Sequence, residues 1–527
     1  MMNKGTGVVA AGHKETAKAA AEILLDGGNA YDAAVAAHLA ACIAEPVLSS
    51  LGGGGFLLAK TASGKKLLYD FFVQTPRMAK KPSEVNFYPI TADFGTVEQE
   101  FHIGHGSQTT PGTVRGLFEI YRDLCTLPMK RLIEPAVKLA RNGVQLNRFQ
   151  AYVLDIIKPI YLANEAVKNQ YGSRTDPGTV MKEGEVIVMN EFADLLEALA
   201  IEGDALFYEG EIAGIVAEMC RENGGHLTMD DFRKYQVIKR KPLDIKYHNS
   251  NVIINPPPSS GGLLTYFALQ LMLEAEISKY EPGSYQALRV MAEVQAATEM
   301  ARIESLLEPD GTKESHILTD PRFLSVYKQK IKSRLKVSRG TTHISIADGD
   351  GNMASLTTSN GEGSGIVIPG TGIVMNNMLG EEDLNPNGFH SWMCNQRMTS
   401  MMSPGILEKS GGTRVVFGSG GSNRIRTAIL QVLVNLIDFK MNLESAINFP
   451  RIHFEKGLLN VEHGFPDSEL VRLYSEYPNH KTWSDKNLFF GGVHAVSISS
   501  KGFSGYGDPR RGGVSMIVDQ GRINWSS

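Results

Sequence analysis

Cysteine is scarce in this chain of 527 residues: there are four, Cys42, Cys125, Cys220 and Cys394. They lie far apart and form no Cys-x-x-Cys pair, which argues against a structural zinc site or a disulfide framework and predicts buried free thiols. A dominant charge sign is also lacking. The formal net charge is −4, so neither nucleic acid nor an anionic membrane is an implied partner. No long hydrophobic run occurs: the longest, Ala33 to Ala44, is interrupted by His38 and is too short to span a bilayer. Lys4 and the stretch Gly7 to Gly12 precede His13 without an apolar core, so no secretory signal is read and a cytoplasmic protein is expected. The 13 histidines form no His-Glu-x-x-His cluster, and there is no Gly-x-Ser-x-Gly elbow, internal repeat or low-complexity segment. No metal and no organic cofactor is implied.

What is present is an ordinary globular composition, 42% hydrophobic and 21% charged. Length alone suggests two to four domains. Ala17, Ala20, Ala21 and Leu24 have helical spacing between His13 and Leu25, ending at Gly27-Gly28. A second helix is predicted from Asp32 to Ala44, capped near Asn29 and stopped by Pro46. Strands are predicted at Phe56–Lys60, Lys66–Phe72, Val493–Ser499 and Gly513–Val518, and helices at Met129–Asn142, Ala193–Glu202, Ser284–Ser305 and Asn423–Phe439. Strands on both sides of residue 341 suggest one interleaved unit spanning 1–527.

The most informative stretch begins at Arg339-Gly340-Thr341-Thr342-His343. A basic, polar run, Lys328 to Arg339, precedes it. The alternating strand His343 to Ala347, the turn Asp348 to Asn352 and the strand Met353 to Ser359 follow. A hydroxyl residue where a linker meets a core strand suits an N-terminal nucleophile: after cleavage before Thr341, the new α-amine is the base for its own Oγ. On spacing alone an ordinary hairpin preceded by a loop is the favoured reading. The loop Asp348 to Asn352 begins like a calcium site, but Met353 and Ser359 stand where a Gly and a Glu are needed, so a turn is read. Leu51-Gly52-Gly53-Gly54-Gly55-Phe56 lacks the Lys-Ser/Thr of a phosphate loop. Gly418-Ser419-Gly420-Gly421-Ser422 could curl into a nest of N–H donors before a helix. A dinucleotide loop is the rival there, with Asn423 where its fingerprint wants Gly or Ala.

Taken in order, these motifs resemble the γ-glutamyltranspeptidase family over about 500 residues. They are Gly27 to Ala30 with Asp32 to Ala34, Leu51 to Phe56, Thr110 to Val114, Thr341 to Ser345 with Asp350 to Asn352, and Asn376-Asn377. Pro256 to Gly262, Gly418 to Ser422 and Asp508-Pro509-Arg510 complete the set. The resemblance implies an α+β fold, the four-layer αββα sandwich of N-terminal-nucleophile hydrolases. It implies autocatalytic cleavage of a zymogen at Gly340–Thr341, giving a large subunit of residues 1–340 and a small one of 341–527. Thr341 is the implied nucleophile, Ser359 (or Thr358 after a one-residue shift) the hydroxyl that orients its amine, and Gly421 and Ser422 the oxyanion amides. Thr399-Ser400 resembles the pair that holds the substrate α-carboxylate. The rest of the glutamate clamp departs from the family: Phe72 follows Asp70-Phe71 where an arginine is the rule, Met378 replaces a polar amine ligand, and the amine-binding aspartate position falls on Glu381. Arg77 is the nearest replacement cation. The segment Glu381 to Arg397 is short where other members carry a lid, which implies an open site. His343 is read as structural.

The expected activity is therefore a glutathione hydrolase and γ-glutamyl acyltransferase, passing the acyl group to water or an amine. An acylase for another N-acyl amide, such as a glutaryl compound, and an uncleaved binding pseudoenzyme are the alternatives. Expected partners are the small-molecule amide, the two subunits of one precursor and a homodimer of that precursor, with no nucleic acid and no membrane.

Overall fold

Period-two alternation sorts the central strands onto two faces. In Gly7–Ala11, Val9 and Ala11 join one core while Val8 and Ala10 join another; in Gly54–Lys60, Leu57 and Ala59 part from Phe56 and Leu58 in the same way. Strands that are buried on both faces belong in the middle of a stack of layers. The computed structural model describes residues 5–93, 98–306, 318–330, 341–385 and 388–525. Gly340, its bond to Thr341 and the linker from 331 lie outside the described residues. The start of the run expected to be unpatterned is helical instead, since Lys328 to Lys330 close the helix Pro321–Lys330.

The first sheet has eight antiparallel strands. Their order is Arg522–Trp525, Val514–Asp519, Gly7–Ala11, Thr342–Asp348, Met353–Ser359, Gly54–Lys60, Lys66–Phe71 and Ile238–Arg240. Strands from either side of residue 341 therefore alternate in it. The second sheet has six strands, in the order Gly502–Tyr506, Gly492–Ser499, Arg414–Gly420, Gly405–Lys409, Ser250–Ile254 and Leu243–Tyr247. Thr342–Asp348 and Met353–Ser359 face Arg414–Gly420 across the gap between the sheets.

Helices cover both outer faces and complete the αββα sandwich. Lys14–Leu25 and Ala30–Ala44 pack on the first sheet, the latter buried at all 15 positions. Alanine-rich surfaces let the two backbones approach closely. A capping box, with Asn29 Oδ1 accepting from Asp32 N and Asp32 Oδ2 accepting from Asn29 N, starts the second helix. Ser260–Ala275 and Arg424–Ile437 lie on the second sheet, with Tyr285–Leu306 beyond them. Among the described residues, no helix is long and apolar enough to cross a membrane. Cys42 and Cys220 are buried, as expected for free thiols, whereas Cys394 is exposed and Cys125 half-buried.

Candidate active site

Thr341 stands one residue before the strand Thr342–Asp348 and is buried, with 3% of its surface exposed. The ladder to the next strand pairs Thr342 with Thr358 and His343 with Thr357. One further step sets Ser359 across from Thr341. Both line one cavity, whereas Thr358 points to the other face, where its Oγ1 lies 3.4 Å from His38 Nδ1. The register thus brings Ser359 to the nucleophile in preference to Thr358. Glycines make room behind this pair: a Cβ on Gly53 would fall 2.3 Å from the Ser359 carbonyl oxygen, and one on Gly420 2.0 Å from that of Thr341.

Arg414–Gly420 then leads into the turn at Gly421 (φ +127°) and Ser422 (φ +48°) and the helix Arg424–Ile437. Two successive positive φ values curl the backbone at the helix N-terminus, where the peptide dipoles favour negative charge. Asp383 braces the turn, accepting from Ser422 Oγ at 3.1 Å and from Asn423 Nδ2 at 3.2 Å.

The cavity over Thr341 and Ser422 is small, about 30 Å³, room for about one water. The short 381–397 segment predicted an open site. Met378, Leu384, Met401 and Met402 line the space, and flexible thioethers adapt to irregular gaps. Of the predicted substrate-binding residues, Phe72, Met378, Glu381 and Ser400 line it. Thr399 does not: its Oγ1 donates to the Pro258 carbonyl at 2.9 Å. Gly421 is also absent from the lining, to which this turn contributes Ser422. Arg77 lies outside as well, with Nη1 on Asn395 Oδ1 at 2.8 Å.

Other family-like motifs prove to be scaffolding. Buried Asn376 accepts from Thr109 and donates to the carbonyls of Gly52 and Thr109, tying three motifs together. Ser259 and the Gly261 amide donate to the Ser400 carbonyl and set that edge of the cavity. His343 is wedged under Gly418, its Nδ1 2.7 Å from Thr357 Oγ1 and its Nε2 2.8 Å from Ser345 Oγ. Burial and His494 push its pKa well down, so it sits there neutral.

Sequence reasoning missed three groups. Arg511 Nη1 donates to the Thr341 carbonyl at 3.2 Å, and burial pushes its pKa down to about 10. Glu45, fully buried at the end of helix Ala30–Ala44, accepts from Thr342 Oγ1 at 2.7 Å and from Thr16 Oγ1 at 2.8 Å. Burial raises its pKa, and the hydrogen bonds from Thr342 and Thr16 pull it part of the way back. Asp383 lies two residues after Glu381, and Arg511 follows Asp508-Pro509-Arg510, so adjacency was a signal for both. Glu45 had none.

Comparison with known proteins places the chain among relatives of one family. The family described as Gamma-glutamyltranspeptidase matches residues 16–518. A glutathione hydrolase proenzyme of Escherichia coli is 33% identical over 89% of this chain and 84% of its own. An acylase ACY 1 proenzyme of a Pseudomonas species is 28% identical over 94% and 90%. The crystal structure of a cephalosporin acylase from Bacillus halodurans superposes with a TM-score of 0.78 at 25% identity, covering 97% of this chain and 96% of that one.

Proposed function

This chain belongs to the γ-glutamyltranspeptidase family, and we propose from that premise that Thr341 first cuts its own chain and then cleaves γ-glutamyl amides such as glutathione. In maturation the Thr341 hydroxyl adds to the Gly340 carbonyl, the acyl group moves from N to O, and water hydrolyses the ester. Gly340 is left as a carboxylate and Thr341 with a free α-amine. In turnover that amine takes the Oγ proton as Oγ attacks the substrate amide carbon. The C–N bond breaks, the leaving amine receives the proton, and an acyl-Thr341 ester remains. Water or an amine then accepts the acyl group and Oγ regains its proton. Ser359 orients the α-amine, and the Gly421–Ser422 turn receives the oxyanion, helped by the following helix.

The observation that carries this reading is the junction itself: a buried threonine at the start of a central strand, between Ser359 and a positive-φ turn that opens a helix. Arg511 and Glu45 hold the residues on either side of the Thr341–Thr342 peptide, so a newly cut end would stay in place. A second reading, an acylase for a different N-acyl amide, is favoured by Phe72 in the cavity wall where a carboxylate-binding arginine is expected. Mass spectrometry of purified protein tests the first step. Wild type should yield fragments of 340 and 187 residues, and Thr341→Ala should stay whole. Fragments from Thr341→Ala would assign the cut to a contaminating protease, and an intact wild type would favour a binding pseudoenzyme.

A further inference from the structure

A second hollow, of about 350 Å³, shares no lining residue with the active-site cavity. It lies between the helix Glu211–Glu222 and the segment that leads into the short helix Met229–Arg233. Ala217, Leu227 and Met229 make it largely apolar, and its volume and lining are those of a small-molecule site. One polar group in its wall is unsatisfied. His226 is 3% exposed, and its Nε2 has no hydrogen-bond partner among the described residues. Its Nδ1 accepts from the Lys80 amide at 3.1 Å, so the neutral ring carries its hydrogen on Nε2. Burial, helped by His390 and Lys80, pushes the His226 pKa down to about 4, which keeps the ring neutral near pH 7. A buried donor without an acceptor is destabilising, and a ligand oxygen would supply the acceptor. The charged groups at the hollow are Lys80, Arg221 and Glu218. Arg221 is held by Glu218 at 3.1 Å and by Glu222 at 3.0 Å. Lys80 Nζ donates to the Cys220 carbonyl at 3.1 Å and has hydrogens to spare. The Thr228 hydroxyl is taken by Asp231 Oδ2 at 2.7 Å.

We propose that this hollow binds a small apolar carboxylate, with its chain on Ala217, Leu227 and Met229 and its oxygens on His226 Nε2 and Lys80 Nζ. The inference goes beyond the reading of Thr341 and does not depend on it. An unpaired N–H and an ammonium with spare hydrogens both call for an acceptor. An anionic oxygen suits them better than a neutral one, because charge-assisted hydrogen bonds are the stronger kind. A ligand ammonium in the same place would meet a donor and a like charge, and Glu218 already faces Arg221. The apolar wall favours a hydrocarbon chain, since burying it removes apolar surface from water. The Trp392 ring lies edge-to-face with His226, 5.2 Å between centroids, so a ligand on His226 sits close to a natural fluorophore.

The test titrates the purified protein with hexanoate, hexanamide and hexylammonium, which carry an anion, a neutral amide and a cation on similar chains. Calorimetry reports binding, and so does a change in Trp392 fluorescence, assigned by its loss in Trp392→Phe. We expect a Kd of about a millimolar or tighter for hexanoate, a weaker one for hexanamide, and one at least about tenfold weaker for hexylammonium. His226→Phe keeps an aromatic ring in place and deletes the N–H, and should weaken hexanoate about tenfold. Ala217→Trp fills the hollow from the helix side while leaving His226 intact, and should abolish hexanoate binding. Hexylammonium binding as tightly as hexanoate overturns the proposal. Hexanoate binding undiminished in both His226→Phe and Ala217→Trp overturns it too, because the ligand then sits elsewhere. Neither heat nor a fluorescence change from any of the three at about 10 mM overturns it as well.

Discussion

Phe72 and Arg397 show how a single position changes what a site can hold. Phe72 stands where an arginine is the rule, and the neighbouring guanidinium, Arg397, binds the Phe72 carbonyl. Ser359 shows the opposite case, a residue whose role depends on parity. Because side chains alternate along a strand, Ser359 shares the face of Thr341 and Thr358 does not. Ser359→Ala should therefore slow turnover by roughly tenfold to a hundredfold, the usual scale for losing one positioned hydrogen-bonding group. Thr358→Ala should leave kcat within about twofold, because its hydroxyl meets His38 only at 3.4 Å. Steady-state kinetics on the two processed variants decides it; equal losses would mean that the register near the junction differs after cleavage.

At the scale of elements, the glycine run Gly52–Gly55 acts as a spacer. Gly53 accepts from the amides of Gly112 and Thr113 on one side and abuts the Ser359 carbonyl on the other. Backbone closes it in, so an added methyl has nowhere to go by a rotamer change. Gly53→Ala should cost about 1–3 kcal/mol, the usual range for overpacking, and should displace Ser359. The expected readout is a lower thermal midpoint together with slower self-cleavage in a pulse of newly folded protein. Normal cleavage with only a lower midpoint would separate the spacer from the chemistry. The loop after Gly502–Tyr506 is a second device. Asp508 meets Arg451 at 2.6 Å and Arg510 at 3.2 Å, and Arg510 continues to Glu462 at 2.7 Å. This buried chain of charges holds the loop from which Arg511 reaches Thr341. Replacing Asp508 by Asn would leave Arg451 without its partner charge, at a cost of about 3–5 kcal/mol.

Over the whole molecule the same cluster sets an acid limit. Burial alone would raise the Asp508 pKa, but Arg451 and Arg510 override it and hold the carboxyl well below the usual carboxylate range. A depressed carboxyl stabilises the fold fully above its unfolded value near 4, and that contribution is lost as pH falls below it. The thermal midpoint should thus drop between about pH 5 and 3, and Asp508→Asn should flatten that drop from a lower starting point. A wild-type midpoint unchanged to pH 3 would remove Asp508 from the account. The order of the first sheet sets another property. Gly7–Ala11 lies between Val514–Asp519 and Thr342–Asp348, and Met353–Ser359 pairs with Gly54–Lys60. Fragments 1–340 and 341–527 should therefore coelute in native gel filtration after cleavage and part only in denaturant. Separation under native conditions would show that the strands are not interleaved in the processed enzyme.

The hairpin around Asp348, the helices at 14–25, 30–44 and 424–437, and the turn at Gly421 were all readable from the sequence, because each follows from a local rule. Alternation, helical spacing, an Asn cap and glycines before a helix act over a few residues and need no partner. Thr341 and Ser359 were readable for the same reason, through motifs contiguous in the chain. Asp383, Glu45, Arg511 and Arg397 act across tens to hundreds of residues: Glu45 meets Thr342 from 297 positions away and Arg511 meets Thr341 from 170. For Asp383 and Arg511 the neighbouring motifs were the only local hint, and for Glu45 and Arg397 there was none, since such a role comes from burial and from whatever the sheets bring opposite it. The sequence alone thus carried the family resemblance, with the layers it implies, Thr341 as its candidate nucleophile and Phe72 in place of the usual arginine. Only the tertiary structure decided that the charged residues lining the cavity are Glu381 and Asp383, because it brings both to the wall and ties Arg397 to the Phe72 carbonyl.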